Sequence, residues 1–310
     1  MMAHKSGFVS ILGRPNAGKS TLLNALVGQK VAIVADKPQT TRTAIQGIVT
    51  TPEAQIVLVD TPGIHKAESA INKRMMDAVR GSLDERDAFI FIVDATKPFG
   101  AEDEKALSIL RRNNREGEVT PPVILALNKI DMLSAKHEML PLLEEYQKRY
   151  KFEEYLPISA TKGDGLDKLR KIVIKLLPEG PQYFPSDHFT DQPARFLAAE
   201  LIREQLLHAT RQEVPHSISV LIEKWEENER LIRIFATILV ERDGQKAIVI
   251  GTKGAMLKRI GTLAREEMES LFGTRIFLDL HVKVEPAWRE KAPFLNAIDW
   301  RTMAGEDHEN

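Results

Sequence analysis

The stretch Phe8 to Ser20, FVSILGRPNAGKS, limits what this chain can fold into more than any other. Val9, Ile11 and Leu12 read as a buried strand that stops at Gly-x-x-x-x-Gly-Lys-Ser. Thr21 to Val27 then reads as a helix with Leu22, Leu23 and Leu26 on one face and Gly28 as its C-terminal stop. A strand that turns through a glycine loop into a helix belongs to an α/β layer structure, and the loop is a cradle for phosphate. Gly13 and Gly18 let the backbone bend, so that N–H groups along Asn16, Ala17 and Gly18 to Thr21 face phosphate oxygens beside the positive end of the helix. Lys19 is placed to reach the β- and γ-phosphates and Ser20 to ligate Mg²⁺.

Three later segments select the nucleotide. Ile56 to Asp60 is an apolar strand ending in a carboxylate, and Thr61-Pro62-Gly63 follows; in this order Asp60 holds Mg²⁺ through water and the Gly63 N–H senses the γ-phosphate. Val123 to Leu127 is another buried strand and delivers Asn128-Lys129-Ile130-Asp131. The Asp131 carboxylate can accept both donors on the N1/N2 edge of guanine, a pair that adenine lacks. After Leu156-Pro157-Ile158, the pair Ser159-Ala160 offers the Ala160 N–H to guanine O6. The expected ligands are therefore GTP or GDP with Mg²⁺; the alternative, an ATPase, forecasts that ATP competes well with GTP.

Asp36 to Arg42 is polar and turn-like, which suits a switch segment that orders on the triphosphate and relaxes after hydrolysis. Thr41 is the expected ligand of Mg²⁺ and γ-phosphate there, with Thr40 as the alternative, and Lys19, Thr41 and Gly63 are the candidate catalytic groups. Ile64 stands where many small GTPases carry a glutamine that orients water, so slow intrinsic turnover is expected. His65 reads as a surface residue of the second switch rather than a general base. The Asn16 side chain could hold K⁺ beside the phosphates or simply stabilise its own loop.

Proline and glycine punctuate Leu176 to Pro185, and new periodicity begins near Pro193. Ala194 to Arg211 reads as an amphipathic helix, and Ser217 to Trp225 and Leu231 to Glu241 as strands joined by a turn over Glu226 to Arg230. Gly251-Thr252-Lys253-Gly254 then lies between two helical segments, and a strand from Arg275 to Val284 closes the pattern. A Gly-x-x-Gly loop at this place clamps the backbone of a single-stranded nucleic acid in KH modules, because no Cβ stands between main chain and phosphate. Lys253, Lys258 and Arg259 would meet the phosphates, and Ile248, Ile250 and Ile260 would face the bases. Residues 181–310 carry 17 Lys and Arg against 21 Asp and Glu, so bulk charge does not announce a nucleic-acid binder. The distribution does, since Lys246 to Arg265 holds five basic residues and no acidic one, a local positive patch beside the loop.

The motifs GRPNAGKS, PQTTR, DTPGIH, NKID, Ile158-Ser159-Ala160 and VIGTKG, in this order from Phe8 to about Trp288, resemble the Era family within the translation-factor-related P-loop GTPases. The organisation expected is an α/β P-loop GTPase domain over 1–178, with a mainly parallel six-stranded sheet and helices on both faces. Its antiparallel edge would pair Thr43 to Val49 with Gln55 to Asp60. A linker over 179–192 and a smaller α+β type II KH domain over 193–288 follow, then a tail over 289–310 in which Phe294 and Trp300 serve as packing anchors. The resemblance implies a cytoplasmic, monomeric ribosome-assembly factor, associated peripherally with the inner face of the cell membrane. Its KH domain would grip the 3′ end of small-subunit ribosomal RNA on the 30S subunit. A GTP-dependent adaptor for a membrane or protein partner is the alternative. No apolar stretch reaches the length of a membrane span, Met1 to Gly7 is too short for a signal peptide, and the absence of cysteine excludes disulfides and thiolate metal sites.

Overall fold

Uninterrupted runs of β-branched and aromatic residues become the inner strands of a six-stranded sheet. In this computed structural model, residues 4–37, 39–63, 69–83, 86–113, 120–211 and 214–299 are described. They form two compact units, one from the described residues of 1–32, 41–66 and 74–191, the other from those of 33–40, 67–73 and 192–310.

The first unit is built on β1 (Lys5–Leu12), α1 (Lys19–Val27), β2 (Ile45–Thr50), β3 (Ala54–Asp60), α2 (Ala70–Gly81, its first turn assigned to the second unit) and β4 (Ala88–Asp94). It continues with α3 (Ala101–Asn113), β5 (Val123–Asn128), α4 (Leu140–Arg149), β6 (Glu154–Pro157) and α5 (Leu166–Leu176). The sheet order is β2-β3-β1-β4-β5-β6, and it is parallel except for the β2–β3 pair, the antiparallel edge that the sequence predicts. β4, AFIFIVD, is buried at every position, the requirement of a parallel strand covered on both faces. Phe91, Leu125, Tyr146 and Phe152 share one core beneath α3 and α4. Every parallel strand ends at the same edge, so Leu12, Asp60, Asp94 and Asn128 bring their following loops together, where open α/β sheets bind ligands. The stretch after α5 runs along this unit: Pro178 O accepts from Ser6 N at 3.1 Å, and Gln55 Oε1 accepts from the Tyr183 and Phe184 N–H groups.

The second unit contains α6 (Ala194–Ala209), the short α7 (Val214–Ser217), β7 (Ser219–Asn228), β8 (Leu231–Val240), α8 (Asp243–Ile250), α9 (Ala255–Phe272), β9 (Arg275–Val284) and α10 (Ala292–Ala297). Its sheet runs β7-β8-β9, antiparallel then parallel, and α6, α8 and α9 close its inner face through Ile202, Leu206, Ile234, Val249, Ala264 and Met268. Trp288 is fully buried with Leu239 and Leu295, its Nε1 donating to Ser217 O at 2.8 Å, and Phe294 packs on that cluster. Trp300 lies outside the described residues.

The described residues of 33–40 belong to this unit although they precede α6 by far in sequence. Ile33 joins its core, Glu204 accepts from Val34 N at 2.8 Å, and the buried Arg203 guanidinium donates to Gln39 O and Thr40 O while pairing with Glu200. The strand read as ending at Trp225 runs further, and local capping sets the start of α3. β7 extends through Glu226 to Asn228, because Glu226 faces outward in register with Arg233 and a charged residue on a solvated sheet face does not end a strand. α3 starts at Ala101, since Asp103 accepts from Gly100 N at 3.0 Å and caps the helix.

Candidate functional site: a phosphate cradle and a basic groove

The loop between β1 and α1 is held open by two close approaches. A Cβ on Gly13 would lie 2.2 Å from Ile92 O, and one on Gly18, whose φ is +102°, would lie 2.3 Å from Asn128 Nδ2. Asn16 is exposed in the left-handed region at φ 60°, and its carbonyl accepts from Lys129 Nζ at 2.8 Å. Ala17 is buried, and Thr21 stands half-buried in the first turn of α1. Lys19 is buried, and its ammonium donates to Gly13 O and Arg14 O, each at 3.1 Å. Burial lowers its pKa, and the charges of Asp60 and Glu102 oppose that. Arg14 is tethered in turn by the buried Asp103 at 2.9 Å.

The predicted metal ligands converge. Ser20 Oγ donates to Asp60 Oδ2 at 2.5 Å and lies 2.9 Å from Thr41 Oγ1, which reaches the same carboxylate oxygen at 3.4 Å. Thr41 rather than Thr40 faces this cluster; the Thr40 hydroxyl is spent on Ala35 O and Lys37 O. Asp60 Oδ1 is buried without a hydrogen-bond partner among the described residues. Burial pushes the Asp60 carboxyl up from its ordinary 3.8 to about 6, against the pull of Lys19 and the Ser20 and Thr41 hydroxyls. Two hydroxyls and a carboxylate with an unspent buried oxygen are a hard-oxygen set that fits Mg²⁺. Gly63 is buried at the end of the DTPG turn, and Ile64 and His65 lie outside the described residues.

Asn128 ties three segments together. Its Nδ2 donates to Ala17 O and its Oδ1 accepts from Ala160 N, both at 2.9 Å. The donor assigned from sequence to guanine O6 is thus already engaged, and a base bound there would share it. Ser159 is buried, with its hydroxyl accepting from Lys162 N at 3.1 Å. Asp131 is exposed, clear of these ties. Lys129, left-handed at φ 67°, bridges Asn16 O and Asp94 Oδ2, the latter at 2.8 Å. Burial works against the Asp94 carboxylate, yet Lys129 and Thr96 outweigh it and hold its carboxyl below the ordinary range. Asp94 escapes sequence reasoning because an aspartate ending an apolar strand is common; its position after a P-loop and before NKID was the available signal.

In the second unit, Gly254, Leu257, Lys258, Gly261, Thr262 and Arg265 form one helical stripe that faces Leu278 and Leu280 of β9 across a groove of about 380 Å³. Gly251, at φ +70°, has no room for a Cβ, which would meet Met256 Cβ at 2.6 Å; Thr252 and Lys253 are exposed at the loop tip. Four residues, three isoleucines and Arg259, differ from expectation here. Ile260 is buried in the core, Ile250 packs against it and Ile248 is exposed on α8, so Leu257, Leu278 and Leu280 are the apolar floor instead. Arg259 is exposed but about 100° around the helix from Lys258, outside the groove lining, and Arg265 lines it in its place.

Comparison with known proteins agrees with both halves. A family model described as a 50S ribosome-binding GTPase matches residues 8–129, and a KH domain model matches 213–289. GTPase Era of Geobacter metallireducens is 48% identical over 96% of this chain and 98% of its own. A solved Aquifex aeolicus Era variant bound to GDP and AlF₄⁻ is 40% identical, with a TM-score of 0.89 over 96% of this chain and 99% of that one. Era solved in complex with MgGDPNP and nucleotides 1506–1542 of 16S ribosomal RNA is 41% identical, again with a TM-score of 0.89 and the same coverage.

Proposed function

The chain belongs to the Era family of GTPases, and from that premise we propose that it is a GTP-hydrolysing switch that grips the 3′ end of 16S ribosomal RNA and serves maturation of the 30S subunit. One observation carries the reading: a guanine-nucleotide cradle and a Gly-x-x-Gly groove occur in one chain that matches the RNA-bound relative along nearly its whole length.

The residues divide the work. The loop N–H groups and the α1 N-terminus receive phosphate, and Lys19 supplies charge once its ammonium leaves the Gly13 and Arg14 carbonyls. Mg²⁺, when bound, neutralises charge on the β- and γ-phosphates; Ser20, Thr41 and, through water, Asp60 would hold it. Asp131 selects guanine, and Gly63 and Thr41 read the γ-phosphate. With Ile64 in place of a water-orienting side chain, turnover is slow and relies on backbone groups or a partner. K⁺ beside Asn16 belongs to the same reading; equal GTP turnover in KCl and NaCl would remove it. The protein works as a monomer in the cytoplasm and touches the inner face of the membrane only peripherally. No helix among the described residues is long and apolar enough to cross a membrane.

Gly254→Asp tests the RNA half. A Cβ there meets nothing within 4 Å, so the substitution costs only the strain of φ +79°, about 1–2 kcal/mol, and puts negative charge where phosphates approach. GTP binding should be intact and affinity for single-stranded 16S 3′-end RNA reduced. Unchanged RNA affinity would defeat the KH assignment.

A further inference from the structure

We propose that the outer face of the β7-β8-β9 sheet is a second contact surface for single-stranded RNA, on which a strand leaving the Gly-x-x-Gly groove stacks against Phe277 and Phe235. The proposal rests on the RNA-binding reading above and extends it to residues outside the groove.

β9 is an edge strand, and its alternation puts two surfaces back to back. Leu278 and Leu280 line the groove, while Arg275, Phe277, Asp279, His281 and Lys283 are exposed on the opposite face. Phe277 and Leu278 are consecutive, so RNA that turns over the sheet edge passes directly from one surface to the other. Phe277 leaves 47% of its surface exposed, and its ring lies 5.9 Å from that of Phe235 on β8 at an interplanar angle of 55°. The far end of the same face is covered by the Leu239, Trp288 and Leu295 cluster, with Leu221 against it, which leaves the phenylalanine end open among the described residues.

The charges around these rings favour nucleic acid. Arg233 is in register with Phe277, Arg275 lies two residues before it on the same strand, and Lys224 Nζ stands 5.9 Å from the Phe235 ring centre. Among the carboxylates around the rings, Glu226 is paired with Lys224 and lies 4.0 Å from Arg233, and Asp279 is in register with Phe235. Cations flanking exposed rings meet both needs of a single strand, a flat surface for bases and positive charge for the backbone.

The test uses the full chain and two labelled single-stranded RNAs cut from the 16S 3′ end, one of about four nucleotides, the length a KH groove holds, and one of about ten. Phe277→Ala should leave the short RNA's affinity unchanged and weaken the long one about tenfold, the scale of one lost base stack, while Phe277→Trp keeps both. Unchanged long-RNA affinity in Phe277→Ala, whatever protein the face then binds, overturns the proposal, and so does equal weakening of both RNAs. Gly254→Asp serves as the separate control: it should weaken both RNAs, and if it weakens neither, the groove reading itself has failed.

Discussion

Replacing Asn128 with alanine should lower the stability of the nucleotide-free protein and its affinity for GDP together. Asn128 is only 3% exposed, and its amide makes two hydrogen bonds, to Ala17 O and from Ala160 N, each 2.9 Å long. Ala17 and Ala160 are themselves buried, so truncation leaves one acceptor and one donor without a partner. An unsatisfied buried group costs about 1–3 kcal/mol, which makes the loss about 2–6 kcal/mol for the pair. The amide also fills the space beside Gly18, where no Cβ fits, so its loss loosens the phosphate loop that it braces. Urea denaturation with and without GDP, beside a fluorescent-GDP titration, measures both effects. Asp131→Asn is the contrast: Asp131 is exposed, so stability should hold within about 0.5 kcal/mol while preference moves from guanosine toward xanthosine nucleotides. If Asn128→Ala loses affinity yet denatures like the wild type, Asn128 acts on the nucleotide alone and the bracing argument is wrong.

The raised Asp60 pKa gives a signed pH dependence. Because the folded, Mg²⁺-free protein holds that proton up to about pH 6 and the unfolded chain only to its ordinary 3.8, stability should fall by about 3 kcal/mol as pH rises through this window and then level off. Mg²⁺ with GDP needs the carboxylate, so its affinity should drop about tenfold per pH unit below 6; a flat calorimetric titration from pH 5 to 7 would contradict the assigned burial. Gly13→Ala pushes a Cβ to 2.2 Å from a backbone oxygen and should weaken GDP binding at least about tenfold, or 1.4 kcal/mol, whereas Gly28→Ala, with nothing within 4 Å, should bind GDP as the wild type does. Arg203→Met leaves Glu200 and two backbone carbonyls without their cation and should destabilise the second unit by about 3 kcal/mol. Trp225 and Trp288 both lie in that unit, so tryptophan fluorescence during denaturation reports it directly, and an unshifted midpoint would refute the estimate.

The nucleotide site was legible because its chemistry is local. Gly13, Gly18, Lys19 and Ser20 act at fixed spacing on one loop, and Asp60 and Asn128 each end an apolar run whose burial follows from composition. The order of elements around Gly251 and Gly254 disclosed the second fold in the same way. What stayed hidden depends on meetings between distant segments. Nothing in the apolar run Ala88–Asp94 says that its last carboxylate will meet Lys129, and helix periodicity alone sends Arg203 and Glu204 to the polar side of α6. They are buried because backbone groups of 34, 39 and 40 stand there to receive them. The groove lining was half legible: Gly254 and Lys258 follow from the motif, but which of Arg259 and Arg265 shares their stripe depends on the rotation of α9 against β9.

The placement of residues 33–40 within the second unit bears on how that unit can be handled and how it can travel. A fragment begun at the apparent junction near residue 192 would contain every helix and strand from α6 onward and still be incomplete. It would expose the apolar seat of Ile33, now 3% accessible, and strip Arg203 and Glu204 of the backbone groups that make their burial tolerable. Such a fragment should express poorly and aggregate, and a synthetic peptide spanning 33–40 should rescue its solubility when added in trans. The same stitch makes the RNA-binding half a poor cassette for gene fusion, because a recombination joint in the proline-rich stretch carries away the fold but leaves one of its staves behind.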